Sequence, residues 1–504
     1  MMMMENERRG GGQPQTPTST QRTHTGALHT ASAPLERAEC AMGRLLPGEA
    51  RAARLAGQAG VWAGQRGLVV RRRGGGLTAA PLALLPTPFP RGEFEQAVGL
   101  AGPLNRLVDA VSRDGAYLRR VLRGTVEHDE FTARLLGVYE AVRARKGEAM
   151  HARAVGVHRS DYMVDEPTGR LLQVELNTIA SSFGALGTLV SDMHRQWAGR
   201  YPELGLDPAA LPANGATGHI AAALACAHGA WGGEGALALV VVQPGELNEF
   251  DQQWIQETLW ERHGIETARR TLAELDRELG LAADGTLSLG GAPVAVVYFR
   301  AGYSPADYPT EAEWGARLTI EQSSAFKCPS IQYHLVGAKK VQQDLAQPGV
   351  LEQFLDHDEA AALRTCFAGL WSLDDAEAPA TRAALADALA NPGRYVLKPQ
   401  REGGGNNLYK QEMAAKLRAG QGLGAYILME RINPPTHANY LVREGELRRM
   451  DTLSEIGIYS TYVRDGDRVL LDGPAGHVLR TKDAASDEGG VAAGFAVIDS
   501  PALY

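Results

Sequence analysis

Residues 395–409 read YVLKPQREGGGNNLY, and the order of these residues says more than their composition. A β-rich run ends in Lys398 and passes into a turn whose consecutive glycines, Gly403, Gly404 and Gly405, offer backbone N–H groups to the oxygens of a phosphate chain. Glycine alone proves little, because Gly10 to Gly12 and Gly74 to Gly76 are triplets too. What separates the third is its neighbours: Lys398 as a cation for phosphate, Glu402 as a hard oxygen ligand for Mg²⁺, and Asn406 and Asn407 as further polar contacts. Neither G-x-x-x-x-G-K-[ST] nor a complete G-x-G-x-x-G occurs. A nucleotide site here is therefore neither a P-loop nor the strict dinucleotide type.

Upstream, Gln173-Val174-Glu175-Leu176-Asn177 alternates polar with apolar, which puts Gln173, Glu175 and Asn177 on one face of a strand. Glu175 and Asn177 are spaced to share a Mg²⁺, an ion that takes oxygen ligands and keeps waters and substrate phosphates in its shell; the polar side of an edge strand reads the same way. Ser181-Ser182-Phe183-Gly184 suits a loop that approaches a ligand closely. Arg159, Arg300 and Arg480 each sit at the end of an apolar run, and singly each reads as a structural ion pair. Together with Lys339, Lys398 and Lys482 they point to a ligand of many negative charges. The run 426–430 suits either a core strand or the wall of an adenine pocket, and 488–494 is a second small-residue loop, a turn or a cover for a small substrate.

The chain around these segments has 504 residues, 44% apolar and 22% charged. That usage excludes a wholly disordered, collagenous or coiled-coil chain, and the length suggests about three domains. The net charge is −8, with acids and bases interspersed, so no concentrated basic face is available for nucleic acid. Four cysteines, Cys40, Cys226, Cys328 and Cys366, lack zinc or redox spacing and read as reduced, mostly buried thiols. Apolar stretches such as 236–242 are far short of the roughly 18 residues of a membrane span, so a soluble protein is expected. Residues 1–34, rich in Gly, Pro, Ser and Thr and poor in acids, have the composition of a disordered head or an organelle transit peptide. From 94 to 144 apolar residues recur at three and four, predicting helix with breaks or bends at Gly124 and Gly137. Strands are expected over 171–176, 237–242, 294–299, 395–398, 426–430 and 478–481, and a helix over 251–263, which makes the class α/β. The glycine excess, 58 residues against a usual share of about 7%, includes an expected loop between early strands at Gly74 to Gly76.

Taken together, RSDYM (159–163), ELNTIASSFG (175–184), GELNEFDQ (245–252), YFRAGY (298–303), KCPSIQYHLVGAKKVQQDL (327–345), VLKPQREGGGNNLY (396–409), YILMERI (426–432), SEIGIY (454–459), LRTK (479–482) and GGVAAG (489–494) resemble eukaryotic glutathione synthetase, of the ATP-grasp ligase superfamily. The resemblance runs from about residue 57 to the end. It implies an ATP-grasp α/β fold with an inserted substrate-binding α/β domain and glycine-rich lid loops, divided as 1–56 (disordered or transit-like), 57–232 (body), 233–345 (substrate domain) and 346–504 (ATP-binding and lid region). It implies ligation of γ-glutamylcysteine to glycine with ATP through an acyl phosphate, two Mg²⁺ ions per active site, a homodimer, and a cytoplasmic or plastid location.

Residue by residue, the resemblance implies that Arg480, Lys339 and Lys398 carry the catalytic charge stabilisation. For γ-glutamylcysteine it implicates Arg159, Ile179, Ala180, Ser181, Ser182, Glu246, Leu247, Asn248, Gln252, Arg300, Ala301, Gly302 and Tyr303, and at the glycine end Arg480, Val491 and Ala492. For ATP it implicates Glu175, Lys339, Lys398, Pro399, Gln400, Arg401, Glu402, Gly403, Gly404, Gly405, Asn406, Asn407, Tyr409, Met429, Glu430, Arg431, Ile432, Glu455, Lys482 and Glu488. Mg²⁺ falls to Glu175, Asn177 and Glu402. No general base is assigned. Four positions depart from the family pattern: Ala180 for serine, Ala301 for aspartate, Arg431 for lysine and Glu488 for aspartate. In relatives that use β-alanine the equivalent of Ala492-Ala493 is bulkier, so the resemblance implies glycine as acceptor. Two other readings are another ATP-grasp carboxylate–amine ligase and a non-catalytic nucleotide-binding protein; the retained Glu175, Asn177, Lys398, Glu402 and Arg480 argue against the latter.

Overall fold

The structure, a computed structural model, describes residues 46–375, 378–401 and 405–504. It opens with the helix Glu49–Arg66, which buries Ala52, Leu55, Ala59, Trp62 and Ala63 and stops at Gly67 in the left-handed region. Those residues recur at three and four, but small alanines make a faint stripe. A start of order at 57 is therefore too late. Gly74 to Gly76 form the tip of the hairpin Val69–Arg71 and Leu77–Ala79, as expected.

The stretch 94–144 is helical, in four pieces: Arg91–Gly99, Ala101–Arg113, Gly115–Val126 and Glu130–Lys146. Two of the three breaks come where Asp114 and Asp129 accept the N–H groups of Tyr117 and Thr132 as N-caps; the other follows Gly99. Gly124 and Gly137 lie inside helices, so neither marks a break. At Gly124 the reason for glycine is proximity, since a Cβ would stand 2.9 Å from the Asp374 carboxylate.

A seven-stranded sheet forms the body, in the order His437–Arg443, Leu82–Ala83, Ala496–Asp499, Arg468–Asp483, Glu446–Asp465, Arg153–Asp165, Arg170–Asn177. The expected strand 478–481 is a fragment of the 16-residue Arg468–Asp483. Its neighbour Glu446–Asp465 and the strand beyond, Arg153–Asp165, escape the sequence reading, the latter because charged residues such as Arg159 and Asp161 are buried in its midst and break the apolar pattern. A six-stranded sheet is built from Thr267–Arg270, Leu237–Val241, Ala292–Phe299, Leu287–Leu289, Leu279–Leu281 and Phe326–Cys328, all drawn from the stretch 237–328. It shares one core with the body, Val241 and Phe299 packing in the same cluster as Tyr162 and Ile456. A four-stranded antiparallel sheet orders Leu370–Ser372, Tyr426–Glu430, Tyr395–Pro399 and Leu408–Tyr409. The stretch 233–345 thus holds the whole six-stranded sheet, whereas 346–504 supplies both the four-stranded sheet and strands of the body. The α/β class stands. Among the described cysteines, Cys226, Cys328 and Cys366 are free thiols, the last two buried, and no described helix is long and apolar enough to cross a membrane.

Candidate active site

Register places the charged residues. In the body sheet Arg159 lies opposite Asn177, Asp161 opposite Glu175 and Gly457, Tyr459 opposite Arg159, and Arg480 opposite Glu455. Because side chains alternate across a strand, Arg159, Asp161, Glu175, Asn177, Glu455 and Arg480 share one face. That face and the strands Tyr395–Pro399 and Tyr426–Glu430 wall a cleft of about 350 Å³.

Asp161, fully buried, is the hub of this face. Its Oδ1 accepts from Arg159 Nε at 2.7 Å, while Oδ2 accepts from Arg159 Nη2 at 2.9 Å, Arg480 Nη2 at 2.7 Å and Asn177 Nδ2 at 2.8 Å. Arg480 also pairs with Glu455. Lys398 Nζ donates to Val174 O at 2.8 Å, and Lys339 Nζ stands 3.3 Å from Glu175 Oε2. The reason Lys339 lies there is Gln342, which accepts from Leu176 N at 2.9 Å and donates to Leu176 O at 3.0 Å, zipping its helix to the edge strand.

Burial works against the charge on Glu175, but Lys339, Lys398, Arg480 and Arg159 outweigh it and hold the carboxyl well below the usual range. Glu455 moves the other way: burial raises it, and Asp161 and Glu175 add to that, although Arg480 opposes. Burial lowers Lys398 despite Glu175, with Lys339 adding to the effect, and burial also lowers Lys482. Seven cationic side chains line the cleft against five carboxylates. A polyanion there would stabilise the charged forms of both lysines. Beside the charges runs an apolar slot of Met163, Val174, Val396, Tyr409, Met429 and Ile432, flat enough in composition for a base. Cations at one end and an apolar slot at the other suit a nucleotide. The Glu175 carboxylate and the Asn177 amide oxygen are hard donors on one strand, a partial set that fits Mg²⁺ completed by phosphates and water.

Residues 488–493 of the second small-residue loop line the cleft. Glu488 Oε2 accepts from Gly405 N at 2.9 Å, and Lys482 Nζ donates to the carbonyls of Asp487 and Glu488 at 2.9 and 2.8 Å. Asp487 bridges Lys410 at 2.7 Å and Arg431 at 2.9 Å.

Of the residues singled out from sequence, the cleft brings together Arg159, Glu175, Asn177, Ile179 to Ser182, Tyr303, Lys339, Lys398, Arg401, Asn407, Tyr409, Met429 to Ile432, Glu455, Arg480, Lys482, Glu488, Val491 and Ala492. Arg300 is set behind the loop 179–183, donating to Ser181 O at 2.6 Å and Ser182 Oγ at 2.7 Å. Ala301, Gly302, Glu246, Leu247, Asn248 and Gln252 do not reach the cleft wall; Glu246 is occupied by Gln252 Nε2 and Asn248 N, both at 2.7 Å. Pro399, Gln400, Gly405 and Asn406 also stand outside the lining, Gln400 Oε1 accepting from Lys340 N at 3.0 Å. Glu402, Gly403 and Gly404 lie outside the described residues.

Sequence reasoning missed Asp161, although its spacing from Arg159 puts both on one strand face. It also missed Asp251, which accepts from Phe183 N at 2.8 Å and Ala185 N at 2.9 Å and so anchors the loop before the helix Gly184–Arg200. Ala180 and Phe183 in that loop have φ of 50° and 71°, a left-handed backbone that costs a non-glycine residue about 1 kcal/mol or more and clusters at ligand sites.

The model of the eukaryotic glutathione synthase ATP-binding domain matches residues 49–503. The chain is 48% identical over 464 residues to the chloroplastic glutathione synthetase of Solanum lycopersicum, covering 89% of this chain and 83% of that one. To the glutathione synthetase of Homo sapiens it is 41% identical over 434 residues, covering 84% and 90%. Among solved structures, the apo form of a glutathione synthetase-like effector from Globodera pallida superposes with a TM-score of 0.74 at 24% identity, covering 92% of this chain and 99% of that one. That likeness is one of fold.

Proposed function

The chain belongs to the eukaryotic glutathione synthase family, and on that premise we propose that it joins γ-glutamylcysteine to glycine with ATP, releasing ADP and phosphate. The observation that carries the reading is the convergence of Arg159, Lys339, Lys398, Arg480 and Lys482 with Glu175 and Asn177 on one cleft. A carboxylate is a poor electrophile, so the cysteinyl carboxylate first takes the γ-phosphoryl group of ATP and ADP leaves. The glycine amine then attacks the acyl carbon, phosphate departs, and the ammonium proton is lost to solvent.

Neither step needs a covalent bond to the protein. Lys398 and Lys339 neutralise the phosphate chain, the apolar slot takes the adenine, and Arg480 and the Nη1 of Arg159 offer their remaining N–H groups to carboxylate or phosphate oxygens. Bound Mg²⁺, two ions per site in this reading, would neutralise charge on the transferring group; Glu175, Asn177 and Glu402 would hold it. The small-residue loop 488–494 would keep water from the acyl phosphate. Glycine rather than β-alanine as acceptor is supported by the Ala492-Ala493 pair at the cleft wall, whose equivalent is bulkier in relatives that use β-alanine.

With ATP, Mg²⁺, γ-glutamylcysteine and glycine, the purified chain is expected to release ADP and tripeptide in equal amounts, and more slowly with β-alanine. No ADP above background with either acceptor removes the ligase reading; faster turnover with β-alanine removes only the choice of acceptor.

The working unit in this reading is a homodimer. The tomato and Arabidopsis thaliana relatives are named chloroplastic, which with the acid-poor, Ser/Thr-rich composition of residues 1–34 supports a plastid-targeting head. Residues 1–60 fused to a fluorescent reporter are expected to direct it to plastids; a reporter that stays in the cytosol overturns this.

A further inference from the structure

Asp161 has no role in the chemistry above, yet it is the most heavily hydrogen-bonded carboxylate of the cleft. A fully buried carboxylate is tolerated only when its lone pairs are satisfied, and here four N–H donors from three side chains meet it. The adjoining strand makes room. Gly457 lies directly opposite Asp161, and a Cβ there would stand 2.7 Å from Asp161 Oδ1 and 2.8 Å from Arg159 Cδ.

We propose that Asp161 is the positioning residue of this site, its one carboxylate setting the orientation of Arg159, Arg480 and Asn177 together. The fork on Arg159 commits Nε and Nη2 and leaves Nη1 toward Ser182 O at 3.2 Å. The bond to Arg480 fixes one edge of that guanidinium between Asp161 and Glu455. Asn177 Nδ2 is held by Asp161 and by Arg159 O at 3.2 Å, so its oxygen is the amide atom left for the cleft. A reversed amide would set an oxygen against the Asp161 carboxylate. The three side chains thus share a single reference point. This inference rests on the ligase reading for its kinetic test but not for its binding test.

The experiment is a double-mutant cycle on Asp161→Asn and Arg480→Ala, read as kcat/KM for tripeptide formation and, separately, as the Kd for the non-hydrolysable nucleotide AMPPNP. Asp161→Asn keeps the shape but removes the charge and turns one of the two acceptor oxygens into a donor, and is expected to lose about 10²-fold in kcat/KM, the scale of a misplaced charge-stabilising group. Because both substitutions disturb the same arrangement, the double variant is expected to fall within about threefold of the worse single one, whereas independent sites would multiply their losses. Multiplying losses in both readouts overturn the proposal. A wild-type chain that binds AMPPNP but makes no tripeptide defeats the ligase reading alone, and the binding cycle still decides. Should Asp161→Asn not fold, Gly457→Ala replaces it: every charge is kept while Asp161 and Arg159 are pushed apart. The same direction of loss is expected, and wild-type kinetics there also overturn the proposal.

Discussion

Arg480→Ala is expected to lose about 10²- to 10³-fold in kcat, the usual result of removing one preorganised charge donor from an acyl- or phosphoryl-transfer site, and to lose stability as well. Burial by itself would lower Arg480, but Asp161 and Glu455 more than compensate, and the guanidinium is held above its ordinary value. The folded state therefore favours this charge. Taking it away leaves the buried carboxylates of Asp161 and Glu455 facing each other, and breaking a buried pair by deleting one partner costs about 3–5 kcal/mol. Glu455, already raised by burial, would then take up a proton more readily, so the loss should be larger at alkaline pH than at mildly acid pH. Steady-state kinetics and thermal melts across pH check this. Full stability with lost turnover would show that Asp161 and Glu455 do not depend on Arg480; normal turnover would remove it from the chemistry.

How much of this was legible beforehand depended on pattern rather than importance. Strands with clean apolar runs were found within a residue or two, as at 426–430 and 395–398 against Tyr426–Glu430 and Tyr395–Pro399. The longest strands were not, because the body sheet buries its active face: Arg159, Asp161 and Arg480 stand where alternation would call for apolar residues. Long-range pairings leave no local trace either. Nothing in SEIGIY shows that Gly457 clears space for a residue about 300 positions earlier. The cleft lysines and arginines could be chosen from sequence because phosphate chemistry demands cations. Asp161 and Asp251 could not, since a carboxylate that orients other groups looks like any other acid until its partners are placed. The second rank of substrate residues, Glu246 to Asn248 and Gln252 with Arg300, shows the converse: the family resemblance sets them at the cleft, whereas the fold sets Arg300 behind the loop it braces.

Lys398→Met is expected to lose a comparable amount of kcat, again about 10²- to 10³-fold, with the opposite signature in stability. Both residues are buried cations on one cleft, but their charges are compensated unequally. Burial lowers Lys398, Lys339 adds to that, and Glu175 only partly opposes it. A lysine whose folded value is lowered is destabilising in its charged form: the penalty is absent above the unfolded value near pH 10.4 and grows as pH falls toward and through the folded one. At neutral pH the wild type therefore carries a cost that methionine, similar in length and apolar, does not. The hydrogen bond to Val174 O is lost with the charge, a term of about 1 kcal/mol acting the other way. The expected net result is a Tm within about 2 °C of wild type or above it, alongside nearly abolished turnover and a raised KM for ATP. That combination identifies a charge kept for a polyanionic ligand rather than for the fold. A Tm lowered by many degrees would instead make Lys398 a structural residue, and an unchanged KM for ATP would place its action away from the phosphates. Run side by side, the two variants separate cations that hold the site together from cations that await its substrate.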